Sequence, residues 1–254
     1  MLSGYFMPVL EIIVDTVQDA IEAEKGGATH LTVLSHYPST GVTPSIGMVA
    51  QIQRLVSLPL VILVRPHTRN SIPCSQDIET CVSDIKAMNA LGIQDFLIEF
   101  IDQENNPNQQ AIEMIFRCCA SIRLHSHFAW QYSRNRAATI EKLIQLGFVS
   151  IRTSGKTNSN SWFDNDVTRS IEGICSIRDL VGKRTSVYLT GGITTANVSH
   201  LTTSTAIFDL QIGRGVRSPN NSHSPVKSSL VAEIRSKQMK AYKEFIIENN
   251  TDKI

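Results

Sequence analysis

Residues 9–34 read VLEIIVDTVQDAIEAEKGGATHLTVL, one complete β-then-α-then-β unit. Val9–Val14 is a short apolar run. Asp15-Thr16 supplies helix-capping side chains, and Val17, Ala20, Ile21 and Glu24 follow at helical spacing. Gly26-Gly27 is a C-terminal stop, and His30–Leu34 begins the next unit. The rhythm then repeats. Apolar runs at Leu60–Val64, Asp95–Phe100, Ser121–His125, Phe148–Arg152, Ser186–Leu189 and Ile207–Leu210 bring the count to eight. Eight such units in about 250 residues make a closed parallel (β/α)8 barrel, a TIM barrel.

A single domain is expected over residues 1–254, with an ordered core from about 9 to about 248. Thr43-Pro44 is read as opening the second helix, with proline in the first turn where its missing N–H costs nothing. Further helices are expected at Gln76–Leu91, Arg134–Leu146 and Val226–Glu248. Leu91-Gly92 and Leu146-Gly147 lead straight into the next strand, as short αβ loops do. Two stretches break the pattern. Thr153–Asp166 (TSGKTNSNSWFDND) reads as a mobile loop over the mouth, and Gln211–Pro225 (QIGRGVRSPNNSHSP) as a long polar loop after the eighth strand.

Composition narrows the function classes. The chain is 42% hydrophobic and 19% charged with a formal net charge of +1, which offers no electrostatic footprint for nucleic acid or an anionic membrane. No apolar run reaches the roughly 18 residues of a membrane span. The N-terminus lacks a basic region and a small-residue cleavage site, so it does not read as a signal peptide. Five cysteines, an odd number without metal-type CxxC spacing, fit a reducing, cytoplasmic setting.

In such a barrel the residues after each strand gather at one mouth, where function sits. Three groupings there can carry chemistry. His125-Ser126-His127, with His67 and His36 on other loops, could present two imidazoles from one strand face to copper or zinc, with Cys74 as a further donor. The same pair could instead leave one histidine in a core hydrogen bond and the other in solvent. Thr190-Gly191-Gly192-Ile193-Thr194 and Gly213-Arg214-Gly215 follow strands seven and eight, where barrels often bind phosphate; tight turns would need the same small residues. Arg65 with Glu99 and Asp102 could hold an anion beside a general base, or form a structural ion pair. No G-x-S-x-G elbow is present.

These strand-end residues resemble the CutC family of copper homeostasis proteins, collinearly from Leu10 to about Lys243. Gly41-Val42-Thr43-Pro44-Ser45-Ile46-Gly47 is similar to its Gly-Leu-Thr-Pro-Ser-x-Gly signature. Val64-Arg65-Pro66 resembles its Ile-Arg-Pro, Thr153-Ser154-Gly155 its Thr-Ser-Gly, and Gly191-Gly192 its glycine turn. His125 and Phe128 match the His and Phe of its Phe-His-Arg-Ala-Phe-Asp segment. Departures fall at Thr32, where the family carries a glutamate, at Ser126 and Ala129 in place of Arg and Asp, at His67, and at Gln211 in place of a histidine. The resemblance implies a (β/α)8 barrel, a cytoplasmic location, a homodimer and a link to copper tolerance with copper(I) binding. The pocket residues retained are Arg65, His125, Thr153, Ser154, Gly155, Gly191 and Gly192, facing a small-molecule anion; His125, His127 and His67 are the candidate metal ligands. A small-molecule enzyme or sensor, and a scaffold that has lost the family activity, are the competing readings.

Overall fold

Eight strands close on one another in chain order, every neighbouring pair is parallel, and the last returns to the first. The computed structural model describes residues 7–69, 72–119, 121–155, 170–219 and 221–251. The strands are β1 Leu10–Val14, β2 His30–Val33, β3 Leu60–Val64, β4 Asp95–Ile98, β5 Arg123–Ser126, β6 Ser150–Thr153, β7 Ser186–Thr190 and β8 Leu210–Ile212. Between and after them lie α1 Val17–Lys25, α2 Ile46–Leu55, α3 Ser75–Asn89, α4 Gln109–Cys118, α5 Arg136–Gln145, α6 Ile171–Val181, α7 Val198–Thr205 and α8 Ser228–Thr251. The (β/α)8 expectation holds.

Alternation along each strand sorts side chains into two cores. On β1, Leu10, Ile12 and Val14 are fully buried and pack outward with α1 (Ala20, Ala23) and α8 (Val231, Ile234). Glu11 and Ile13 point inward. Glu11 meets Arg152 of β6 across the barrel, and Ile13 packs with Leu34, Val61, Leu63 and Leu97 in a small separate cluster. The sheet therefore has a greasy outside and, beyond that cluster, a polar inside.

Helix starts follow side-chain capping. Thr16 Oγ1 accepts the Asp19 N–H at 3.0 Å and opens α1, while Asn108 and Asn135 cap α4 and α5 the same way. The second helix does not open at Thr43-Pro44. Ser45 is its N-cap, because Ser45 Oγ accepts the Met48 N–H, and Thr43 is instead tied to Arg65 by hydrogen bonds in both directions. Strand ends also move. Phe100 and Leu34 lie beyond β4 and β2, and Gln211 is inside β8 rather than after it. The loop expected over Thr153–Asp166 lies, from residue 156 onward, outside the described residues.

Candidate functional site

Seven of the eight strands, all but β3, contribute to one buried polar network in the barrel interior. Arg152, fully buried, donates from Nη2 to both oxygens of Glu11 at 2.8 Å. Thr32 Oγ1 and Gln211 Nε2 also donate to Glu11, and Thr190 Oγ1 donates to Gln211 Oε1. On its other side Arg152 Nη1 reaches Ser150 Oγ at 2.6 Å, and its guanidinium lies over the Tyr188 ring. Ser150 Oγ is 2.7 Å from His125 Nδ1, and His125 Nε2 is 2.9 Å from Asp95. Because Asp95 accepts, His125 carries its proton on Nε2 and takes the Ser150 O–H at Nδ1.

The titration directions agree with that assignment. Burial raises the Glu11 carboxyl, but the Arg152 charge and the hydrogen bonds outweigh it and hold it below the usual range. Burial also raises Asp95, yet hydrogen bonds from His125 and Arg123 prevail and bring it to about 2. Burial pushes His125 down, so the imidazole is neutral near pH 7.

Above this network, at the C-terminal mouth, lies a cavity of ≈ 150 Å³. Its polar wall comes from Thr190 at the end of β7, from Gly191 and Gly192 after it, and from Gln211 and Gly213 to Gly215 of β8 and its loop. Gly191 and Gly192 both have positive φ, 78° and 67°, a turn that side chains with a Cβ resist. Its apolar wall includes Ile13, Leu34, Pro38, Phe128 and Ile193. Gly213 is required by a close approach: a Cβ there would stand 1.8 Å from the Tyr37 hydroxyl. Tyr37 sits on an excursion between β2 and α2, pinched shut by an antiparallel bridge from Ser35 to Val42.

Among the described residues, Arg214 and His127 are the charged or titratable cavity residues besides Tyr37, and no carboxylate lines the cavity. Arg214 is half-buried and forms no ion pair among the described residues. His127 Nδ1 is 2.8 Å from Glu99 Oε1, and that oxygen also accepts the Ala129 N–H. Glu99 is buried and His127 nearly so, with side-chain exposures of 3% and 12%.

The sequence-predicted residues scatter over these regions. Gly191, Gly192 and His127 line the cavity, whereas His125 is one layer below in the network. His125 and His127 do not share a strand face toward one partner, because β5 ends at Ser126 and each ring has its own carboxylate. Arg65 reaches the cavity only through Thr40, whose Oγ1 accepts from Nη1 at 2.7 Å. Neither Glu99 nor Asp102 is its partner among the described residues. Ser154 and Thr153 bond to the Gln131 amide, and the Gly155 N–H donates to Thr153. His67 Nε2 pairs with Asp77, which also accepts the Cys74 N–H at the start of α3.

Copper(I) prefers thiolate and imidazole donors. Cys81 and Cys119 are buried, and burial pushes the Cys81 thiol up to about 12. Among the described residues no three His, Cys, Asp or Glu side chains converge on a metal-sized site. Among the described residues the donor set therefore does not fit the metal.

The sequence matches the CutC family over residues 8–216. It is 25% identical over 196 residues to a human protein named copper homeostasis protein cutC homolog, spanning 76% of this chain and 68% of that one. A CutC family protein of Xanthomonas campestris is 26% identical over 195 residues, 76% and 77% of the two chains. The crystal structure of CutC from Streptococcus agalactiae superposes with a TM-score of 0.75 at 18% identity, covering 82% of this chain and 98% of that one. Thiamine phosphate pyrophosphorylase from Pyrococcus furiosus shares the fold at a TM-score of 0.58 and 14% identity, over 92% and 96%.

Proposed function

The chain belongs to the CutC family, and from that premise we propose that it serves copper homeostasis, the role named for its relatives, by binding a small anion at the barrel mouth rather than by holding the metal. One observation carries this reading: among the described residues the mouth cavity contains Arg214 and the glycine turns after β7 and β8, and no carboxylate. Among these residues a cation finds no counter-charge, and an anion finds one. The β7 and β8 loops are also where barrels commonly take phosphate. The reading keeps the protein in the cytoplasm, consistent with five free thiols, and makes it a homodimer as the resemblance implies. No helix among the described residues is long and apolar enough to cross a membrane.

Calorimetric titration with inorganic phosphate tests this, with copper(I) titrated in parallel. Saturable phosphate binding without stoichiometric copper is expected. Tight stoichiometric copper binding with no response to phosphate would reverse the reading. Native mass spectrometry of the same sample reports subunit number, and a monomer would remove the dimer.

A further inference from the structure

We propose that the mouth cavity is a proton-transfer site for a small phosphorylated carbonyl compound, with His127 as the catalytic base, Glu99 as its positioning residue and Tyr37 as the donor to the carbonyl oxygen. The proposal rests on the anion reading above and assigns that site an activity.

The starting point is the orientation of His127. Its Nδ1 faces the Glu99 carboxylate, which only accepts, so the ring proton sits on Nδ1 and the Nε2 lone pair is left for the cavity that His127 lines. A carboxylate behind an imidazole fixes its tautomer and stabilises the imidazolium that forms on protonation. Glu99 is itself anchored by the Ala129 N–H, and the Phe128 ring packs against the imidazole at 4.0 Å between centroids. The dyad is thus rigid, and one nitrogen is exposed to whatever fills the cavity.

Tyr37 supplies the complementary group. Tyr37 lines the same cavity, so its phenolic O–H is placed to be donated to what fills it. Burial raises the phenol, so it stays protonated across the neutral range. Arg217 lies over the ring at 4.7 Å and Gly213 packs under the hydroxyl, so the donor is held in place.

A base and a neutral O–H donor in one cavity suit one reaction type. His127 Nε2 takes a proton from the carbon next to a carbonyl. The C–H electron pair becomes the C=C bond of an enol, and the carbonyl π pair moves to oxygen, which the Tyr37 O–H stabilises. Return of a proton to carbon from the imidazolium regenerates the carbonyl, so no oxidant, reductant or co-reactant enters. Size narrows the class. A cavity of ≈ 150 Å³ is about the room that holds a benzene ring, enough for a phosphate and a short carbon body. A three-carbon ketose or aldose phosphate fits that description.

The test is hydrogen–deuterium exchange at carbon, followed by NMR in D2O on dihydroxyacetone phosphate and glyceraldehyde 3-phosphate, with phosphate affinity measured on the same proteins. Exchange above the buffer rate is expected for the wild type. His127→Gln should return exchange to background while phosphate still binds within about twofold. Glu99→Gln should slow exchange and Glu99→Asp, which restores a carboxylate, should recover part of it; a purely structural role would leave the two variants equally impaired. Tyr37→Phe should slow exchange about tenfold to a hundredfold, the worth of a hydrogen bond to a charged oxygen. Phosphate binding without exchange, or exchange unchanged in His127→Gln, overturns this inference and leaves the anion reading standing. No phosphate binding and no exchange overturns both.

Discussion

The barrel interior and the barrel mouth are both polar, and His125 and His127, two residues apart, stand one in each. Below, in the Glu11–Arg152–Ser150–His125–Asp95 chain, both Glu11 oxygens, the Ser150 hydroxyl and both His125 nitrogens are engaged by other side chains, and Arg152 Nε is left without a partner. Above, Arg214 has no ion-pair partner among the described residues, and His127 keeps one ring nitrogen for the cavity. The two regions have similar residue types and opposite degrees of saturation. A buried network whose carboxylate and imidazole atoms are engaged by side chains is rigid and has little left to offer a ligand; one left largely unpaired at the same depth would cost stability unless something bound it. The residue type alone does not separate the two, and the partner list does.

The comparison breaks most easily at Arg152. Arg152→Met removes the counter-ion of a fully buried carboxylate and strands Thr32 and Gln211 around it. The expected loss of stability is about 3–5 kcal/mol, read by urea unfolding at pH 7. Adding Glu11→Gln to that variant should recover a large part, since the uncompensated charge is then gone. A single-variant loss under about 1 kcal/mol would mean that water already reaches the interior, and the distinction between the two regions would fail.

Asp95 gives a smaller effect with a defined pH signature. Its folded value of about 2 lies below the ordinary 3.8, so the group contributes stability above about pH 4 and loses it as the pH falls toward 2. His125 acts in the same direction: its value is depressed, so stability present above about pH 6.5 declines on acidification. Asp95→Asn should cost about 2 kcal/mol at pH 7, and its deficit against the wild type should shrink toward zero between about pH 4 and pH 2. A pH-independent deficit would show that packing, not charge, holds Asp95.

The barrel was legible because its signal is periodic: eight apolar runs with capping residues before the helices and glycines after them. Individual strand ends were less so, for a physical reason. Ile207 and Phe208 are as apolar as a strand, but Phe208 packs under the barrel against Tyr242 and Phe245 of α8, and the strand begins only at Leu210. Phe100 likewise belongs to the outer core, where the chain is already turning toward Asn108. At the site, the glycine turn after β7 could be read from its position. Tyr37 and Thr40 could not. They lie on an excursion flanked by two left-handed non-glycine residues, His36 (φ 61°) and Thr40 (φ 70°), a conformation that no local propensity announces. Arg65 was legible as a mouth residue, but not its use in holding Thr40. The assignment of His127 to Glu99 depends on the register of β4 against β5, which sequence spacing does not contain.

The least effect on stability, and the most direct reading of the mouth, is expected at Arg214. Its side chain is half-buried and its guanidinium has no ion-pair partner among the described residues. Arg214→Met keeps the stem and removes the charge. Stability should therefore stay within about 0.5 kcal/mol of the wild type, the range of a substitution away from the core and from buried charge. Phosphate affinity should fall by about 1.5–3 kcal/mol, what a charge-assisted hydrogen bond contributes. The wild-type affinity should also weaken with added salt more than the variant's, since screening acts on the charge that the variant lacks. Unfolding and calorimetry on one preparation decide it. A stability loss of about 2 kcal/mol or more would put Arg214 in the same class as Arg152, a structural cation. Equal phosphate affinity would leave the cavity's anion preference to its glycine turns alone.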